Sequence, residues 1–235
     1  MRINQPAESA VWEPGGRRVT FLSFTRRVLY RIASDGSENE PELLIPDVIL
    51  DSLWTYTPDG REILGERIAG DARRLLSYPI DGGDPRTILQ TDGIEIEAAL
   101  SPDGRFIAYT SDATGRPEIW LRPFDEEGPP IRVSSQGGQE PGWSADGGEL
   151  YFRRRGPAST TPDLFAVSVV AEPALRVDMP RLLFSFPFLT PYTPTYDVGR
   201  DGRFLMVGGT PGEGTGNLVL VLDWFSELER LAPTP

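Results

Sequence analysis

Residues 101–111 read Ser-Pro-Asp-Gly-Arg-Phe-Ile-Ala-Tyr-Thr-Ser, a turn followed by an alternating apolar run. Asp103 can bond the backbone two residues on, and Gly104 accepts positive φ without a Cβ clash, so the dipeptide predicts a tight reversal. Ile107 and Tyr109 then fall on one face of a strand at period two. The same unit recurs as Glu13-Pro14-Gly15-Gly16-Arg17, Thr57-Pro58-Asp59-Gly60-Arg61, Ser144-Ala145-Asp146-Gly147-Gly148 and Gly199-Arg200-Asp201-Gly202-Arg203. The marker glycines 16, 60, 104, 147 and 202 are separated by 44, 44, 43 and 55 residues. A period of ~40–45 residues is that of a four-stranded propeller blade. Pro- and Ser/Thr-rich segments at 156–162 and 187–194 absorb the longer last step as loops.

Each repeat predicts the same four strands. An apolar residue four positions before the marker (Trp12, Tyr56, Leu100, Trp143, Val198) ends the inner strand. Period-two pairs follow in the second strand: Val19 with Phe21, Ile107 with Tyr109, Leu150 with Phe152, Leu205 with Val207. Third strands begin at Leu29, Leu75, Ile119, Leu164 and Leu218, and short outer strands lie at 43–45, 86–89, 131–134 and 181–184. The predicted fold is all-β: a single propeller of about five four-stranded antiparallel blades, at roughly 5–46, 47–90, 91–135, 136–185 and 186–235. The segment after Asp223 reads as a short helix, so residues 1–4 are expected to complete the last blade by pairing with Leu218 to Leu222. The other reading is a piece of a larger propeller.

Composition narrows the chemistry. The 235 residues contain 23 basic and 35 acidic side chains, a net charge of −12, with no Cys, no His and no Lys. An acidic chain repels nucleic-acid backbones. Without those three residue types there is no disulfide, no imidazole or thiolate metal site, no Ser-His-Asp triad and no Schiff base. No stretch reaches the ~18 apolar residues of a membrane span, so membrane insertion by this chain is not expected. No cofactor is expected either.

The 101–111 segment, with Gly115-Arg116-Pro117-Glu118-Ile119-Trp120-Leu121-Arg122-Pro123-Phe124, resembles repeats of TolB-like WD-type propellers. Residues 133–152, Pro180 to Phe184, Tyr196-Asp197-Val198 and Leu222 to Leu228 resemble the C-terminal propeller that follows the kinase domain in bacterial serine/threonine protein kinases. That resemblance implies a non-catalytic sensor or protein-interaction module. It would be periplasmic or extracellular on a membrane-anchored parent, and cytoplasmic otherwise. A stand-alone envelope scaffold that binds peptides or proteins is the alternative.

Candidate sites follow from propeller geometry, in which loops entering the inner strands meet at one channel mouth. Glu8, Asp51, Glu95, Glu97 and Glu140 stand seven to nine residues before a marker glycine, so they are expected at one rim. Such a rim could attract a basic peptide or hold a divalent cation, or could simply be solvated. Asp59, Asp103, Asp146 and Asp201 are expected to be turn formers, because one per repeat is a structural period rather than a cluster. Trp12, Tyr56, Trp120, Trp143 and Phe152 are expected in the core between sheets, and Arg153 to Arg155 at an exposed strand end, with Asp163 available to pair. Glu95 and Glu97 alternate on one side of a strand, and glycosidases use two carboxyls ~5–10 Å apart, which makes a carboxylate enzyme the distant alternative.

Overall fold

The computed structural model describes residues 9–23, 27–69, 72–89, 95–125, 128–154, 162–187 and 195–207. Among them every regular element is a strand. The first sheet holds β1 (Ser9–Trp12), β2 (Arg18–Ser23), β3 (Val28–Ala33) and β4 (Glu42–Ile45). The second holds β5 (Ser52–Tyr56), β6 (Glu62–Ala69), β7 (Ala72–Pro79) and β8 (Arg86–Leu89). The third holds β9 (Glu95–Leu100), β10 (Phe106–Ser111), β11 (Glu118–Pro123) and β12 (Ile131–Arg132). The fourth holds β13 (Gln139–Trp143), β14 (Glu149–Arg154) and β15 (Asp163–Val170), and the outer edge of β15 pairs with both β16 (Arg176–Val177) and β17 (Arg181–Ser185). The fifth shows β18 (Tyr196–Val198) and β19 (Phe204–Met206). Pairing is antiparallel throughout and follows chain order. Residues 1–4, Leu218 to Leu222 and the helix expected after Trp224 lie outside the described residues.

The core lies between the sheets. Four apolar clusters each join one sheet to the next, for example Leu22, Leu29 and Ile45 with Leu53, Tyr56 and Ile63 between the first and second. A strand of either sheet therefore needs apolar side chains on both faces, and β10 and β14 show this as almost unbroken buried runs.

The turns explain the repeat. All five marker glycines are left-handed, with φ of 68°, 71°, 74°, 73° and 77°. In the third repeat the Ser101 hydroxyl donates to Asp103 Oδ1 (2.6 Å) and accepts from the Phe106 N–H (3.0 Å), while Arg105 N–H donates to Asp103 Oδ1 (3.1 Å). Thr57 with Asp59, and Ser144 with Asp146, repeat that geometry. Asp201 accepts from the Arg203 N–H (3.2 Å). These bonds hold the Asp59 and Asp146 carboxyls below their ordinary range, chiefly through the Thr57 and Ser144 hydroxyls.

Three expectations are corrected. The fifth turn is one residue shorter: Gly199 N–H bonds Arg203 O, whereas Ser101 N–H bonds Phe106 O. Val198 consequently faces Phe204, not Leu205. A one-residue slip reverses the faces, so Phe204 and Met206 are buried and Leu205 is exposed. Trp12 is 59% exposed, although Tyr56, Leu100 and Trp143 at the same offset are buried. Those three pack into the cluster shared with the preceding sheet, whereas Trp12 stands on the first sheet, which no described sheet precedes in chain order. Arg153 is buried, for a reason that belongs to the site.

Candidate functional site

The inner strands β1, β5, β9, β13 and β18 stand side by side around a central channel of about 800 Å³. Its wall includes Trp12, Trp54, Ala99 and Gly142, with Asp197 and Arg200 contributed by the fifth repeat. At Gly142 a Cβ would come within 3.2 Å of the Tyr196 hydroxyl, so the glycine makes room for that ring. Trp12, Asp197 and Arg200 are exposed and Trp54 is half-buried, so the accessible surface combines indole rings with one acid and one guanidinium.

Behind the wall runs a relay of hydrogen bonds that ties consecutive sheets together. Ser9, Leu53, Glu97, Glu140 and Thr195 each stand seven residues before their marker glycine. Ser9 Oγ accepts from the Leu53 N–H (2.9 Å). Glu97 Oε2 accepts from the Glu140 N–H (2.8 Å), and Glu140 Oε2 accepts from the Thr195 N–H (2.9 Å) and from the Thr195 hydroxyl. The Leu53 side chain has no acceptor, so among the described residues the relay skips the junction between the second and third sheets. Glu97 and Glu140 adopt φ of 56° and 55°, a left-handed backbone that costs of order 1 kcal/mol or more for a non-glycine residue, and each sits in a bulge of its strand.

The carboxylates of the expected rim are thus distributed among different places. Glu97 and Glu140 border the channel but are only 6% and 4% exposed, their oxygens turned to the neighbouring sheet. Glu140 also pairs with the guanidinium of Arg153, which is why Arg153 is buried instead of capping an exposed strand end. Arg154 stacks over the Phe165 ring at 4.0 Å, Asp163 accepts from Ser185, and Arg155 lies outside the described residues. Asp51, half-buried ahead of β5, accepts from the Ile68 N–H (2.6 Å) and takes no part in the relay. Glu95 lies on β9 with its side chain outside the described residues. Glu8 also lies outside the described residues. Among the described residues no three acidic side chains group to hold a metal ion.

Burial raises the Glu97 carboxyl above its ordinary value, against the downward pull of the Glu140 N–H. Burial pushes the Tyr196 phenol well up, with Glu140 and Glu97 adding to it, and Tyr196 donates to Glu140 O (2.6 Å). The relay has a signal in the sequence: Ser9, Glu97, Glu140 and Thr195 share an offset of seven residues before the marker glycine, whereas Asp51 stands nine before.

No family model matches the chain. The Tol-Pal system protein TolB of Anaeromyxobacter sp. (strain K) is 34% identical over 81 residues, which is 32% of this chain and 19% of that protein. Among solved structures, TolB from Acinetobacter baumannii superposes with a TM-score of 0.72 at 18% identity, over 90% of this chain and 51% of that one. A gluconolactonase from Xanthomonas campestris superposes with a TM-score of 0.59 at 16% identity, over 88% and 72%. The chain therefore spans about half the length of the TolB structure, and its match covers about a fifth of the curated TolB. With sheets, turns and neighbours in agreement, the chain has the fold of a TolB-like β-propeller.

Proposed function

We propose that this propeller is a non-catalytic binding module that seats a protein or peptide partner at the mouth of its channel, with Trp12 as the anchor. The observation that carries this reading is the 59% exposure of Trp12 on the channel wall, next to half-buried Trp54 and the charged pair Asp197 and Arg200. An exposed indole beside a concave surface is the kind of residue on which binding energy concentrates, because it buries a large rigid area at low entropic cost. Recognition by an acidic rim or by a bound cation is less favoured, since Glu97 Oε2 and both oxygens of Glu140 are engaged by their own neighbours.

In a longer polypeptide the module would serve as the sensing end of a receptor-type serine/threonine kinase, a reading supported by the segments at 133–152 and 180–184. As a separate protein it would be an envelope scaffold. Displayed peptide libraries should return binders whose affinity falls tenfold or more in Trp12→Ala while the fold is retained. Binders unaffected by that change would reject the channel mouth as the site. Turnover in a panel of sugar lactones and oligosaccharides, with and without divalent cations, would overturn the non-catalytic reading in favour of an enzyme.

A further inference from the structure

Two successive sheets place a carboxylate in the same buried position, and only one of the two receives a cation. Glu140 is held by Arg153, six residues after its marker glycine on the adjacent strand. At the equivalent place in the third sheet stands Thr110, whose hydroxyl donates to Glu97 Oε2 (2.9 Å). Glu97 therefore collects two neutral donors, the Thr110 hydroxyl and the Glu140 N–H, and both fall on the same oxygen, Oε2. The charged or titratable groups facing it are Glu140 on β13, Arg153 on β14 and Tyr196 on β18. With both glutamates ionised, this pocket holds two negative charges against one guanidinium. A carboxylate in such a place is costly, because burial removes its hydration while the one nearby guanidinium, Arg153, is paired with Glu140.

We propose that Glu97 is a proton-responsive latch between the third and fourth sheets: in mild acid it takes a proton on Oε1, the buried charge is discharged, and Oε2 keeps its bond to the Glu140 N–H. The seam behind the channel wall is then firmer in mildly acidic surroundings than at neutral pH. The direction follows from linkage. Burial raises the Glu97 carboxyl in the folded chain. Between the ordinary glutamate value and that raised one, the folded state carries a proton that the unfolded state lacks, so stability is lost as pH rises through the window. This inference is independent of which partner, if any, the channel takes.

The test is urea unfolding of the full chain and of Glu97→Gln between about pH 5 and about pH 7.5, where a single linked proton changes the folding constant by up to about tenfold per pH unit. The change of net charge with pH is nearly common to both proteins, so their difference isolates the site. Glu97→Gln is expected to be more stable than the parent at the upper pH, with the gap closing at the lower one. A gap that does not vary with pH overturns the proposal. The parent also provides a direct readout that does not depend on the variant folding. The 13C side-chain carboxyl resonance of Glu97 should titrate above the ordinary glutamate value, and a midpoint at or below it would equally overturn the proposal.

Discussion

The carboxylate of Glu97 accepts a 2.8 Å hydrogen bond from the peptide N–H of Glu140, the residue in the same position one sheet later. Glu140 in turn accepts from Thr195, its own counterpart in the fifth sheet. A side chain at one fixed offset thereby joins the first, third and fourth sheets each to the backbone of the next, and directional bonds supplement the apolar clusters there.

Arg153 should be among the least replaceable residues. Arg153→Met leaves Glu140 buried without its cation, a change that typically costs about 3–5 kcal/mol. Chemical denaturation should show a large fall in midpoint. A loss no greater than that of an exposed arginine such as Arg61 would argue against the buried pair.

Trp12 and Trp143 occupy the same offset and should behave oppositely. Trp143 is 8% exposed and its indole N–H donates to Ala99 O (3.1 Å), so Trp143→Ala should cost about 3–5 kcal/mol. Trp12→Ala should stay within about 0.5 kcal/mol, as expected for an exposed position. Thermal unfolding of the two variants decides it.

The Ser101 hydroxyl closes its turn by bonding both Asp103 and the Phe106 N–H. Because Ser101 is buried, Ser101→Ala should cost about 1–3 kcal/mol by leaving those partners unsatisfied. The slope of unfolding against urea should be unchanged, since the turn is lost without a change in the surface buried.

Gly65 lies where a Cβ would run into the Ser52 carbonyl and would stand 2.7 Å from Leu50 Cδ1. Its φ is unremarkable, so the constraint is space. Gly65→Ala should destabilise by about 1–3 kcal/mol through overpacking of β6 against β5, measurable by calorimetry.

Acid should weaken the fold through a different set of carboxyls. Arg31, followed by Arg18, holds Glu42 down at about 2, and hydrogen bonds lower Asp59 and Asp146. Carboxyls depressed in the folded state give stability that is present above their unfolded values and lost as pH falls through the folded ones. Stability is therefore expected to rise from neutral pH into mild acid as Glu97 is discharged, and to fall again below about pH 4. Glu42→Gln should blunt the acid limb while leaving the mild-acid limb intact, as circular dichroism against pH would show.

The repeat was legible because its cause is local. An Asp-Gly turn with a hydroxyl two residues before the Asp is satisfied by bonds within six residues, as Thr57 to Glu62 show, and period-two burial follows directly from strand geometry. Fold class, antiparallel order and the marker glycines therefore needed only the sequence. The fifth turn was only partly legible: Gly199-Arg200 replaces the hydroxyl-bearing residue and proline of Thr57-Pro58 and Ser101-Pro102, which weakens the register there, and the pairing of Val198 with Phe204 shows the resulting slip.

What the sequence determined by itself was the period of the units and the positions of their turns, because those rest on contacts between near neighbours in the chain. What the tertiary structure alone decided was the fate of the charged residues. Glu97, Glu140 and Arg153 look like solvated surface groups in an acidic chain, and they are buried because the bulges at Glu97 and Glu140 turn their carboxylates toward the next sheet. Bonds spanning 43 and 55 residues, from Glu97 to Glu140 and from Glu140 to Thr195, exist only once the sheets have stacked. A propensity of single residues carries no trace of such a partner, since the free energy that justifies burying the charge comes entirely from the donors that the neighbouring sheet brings.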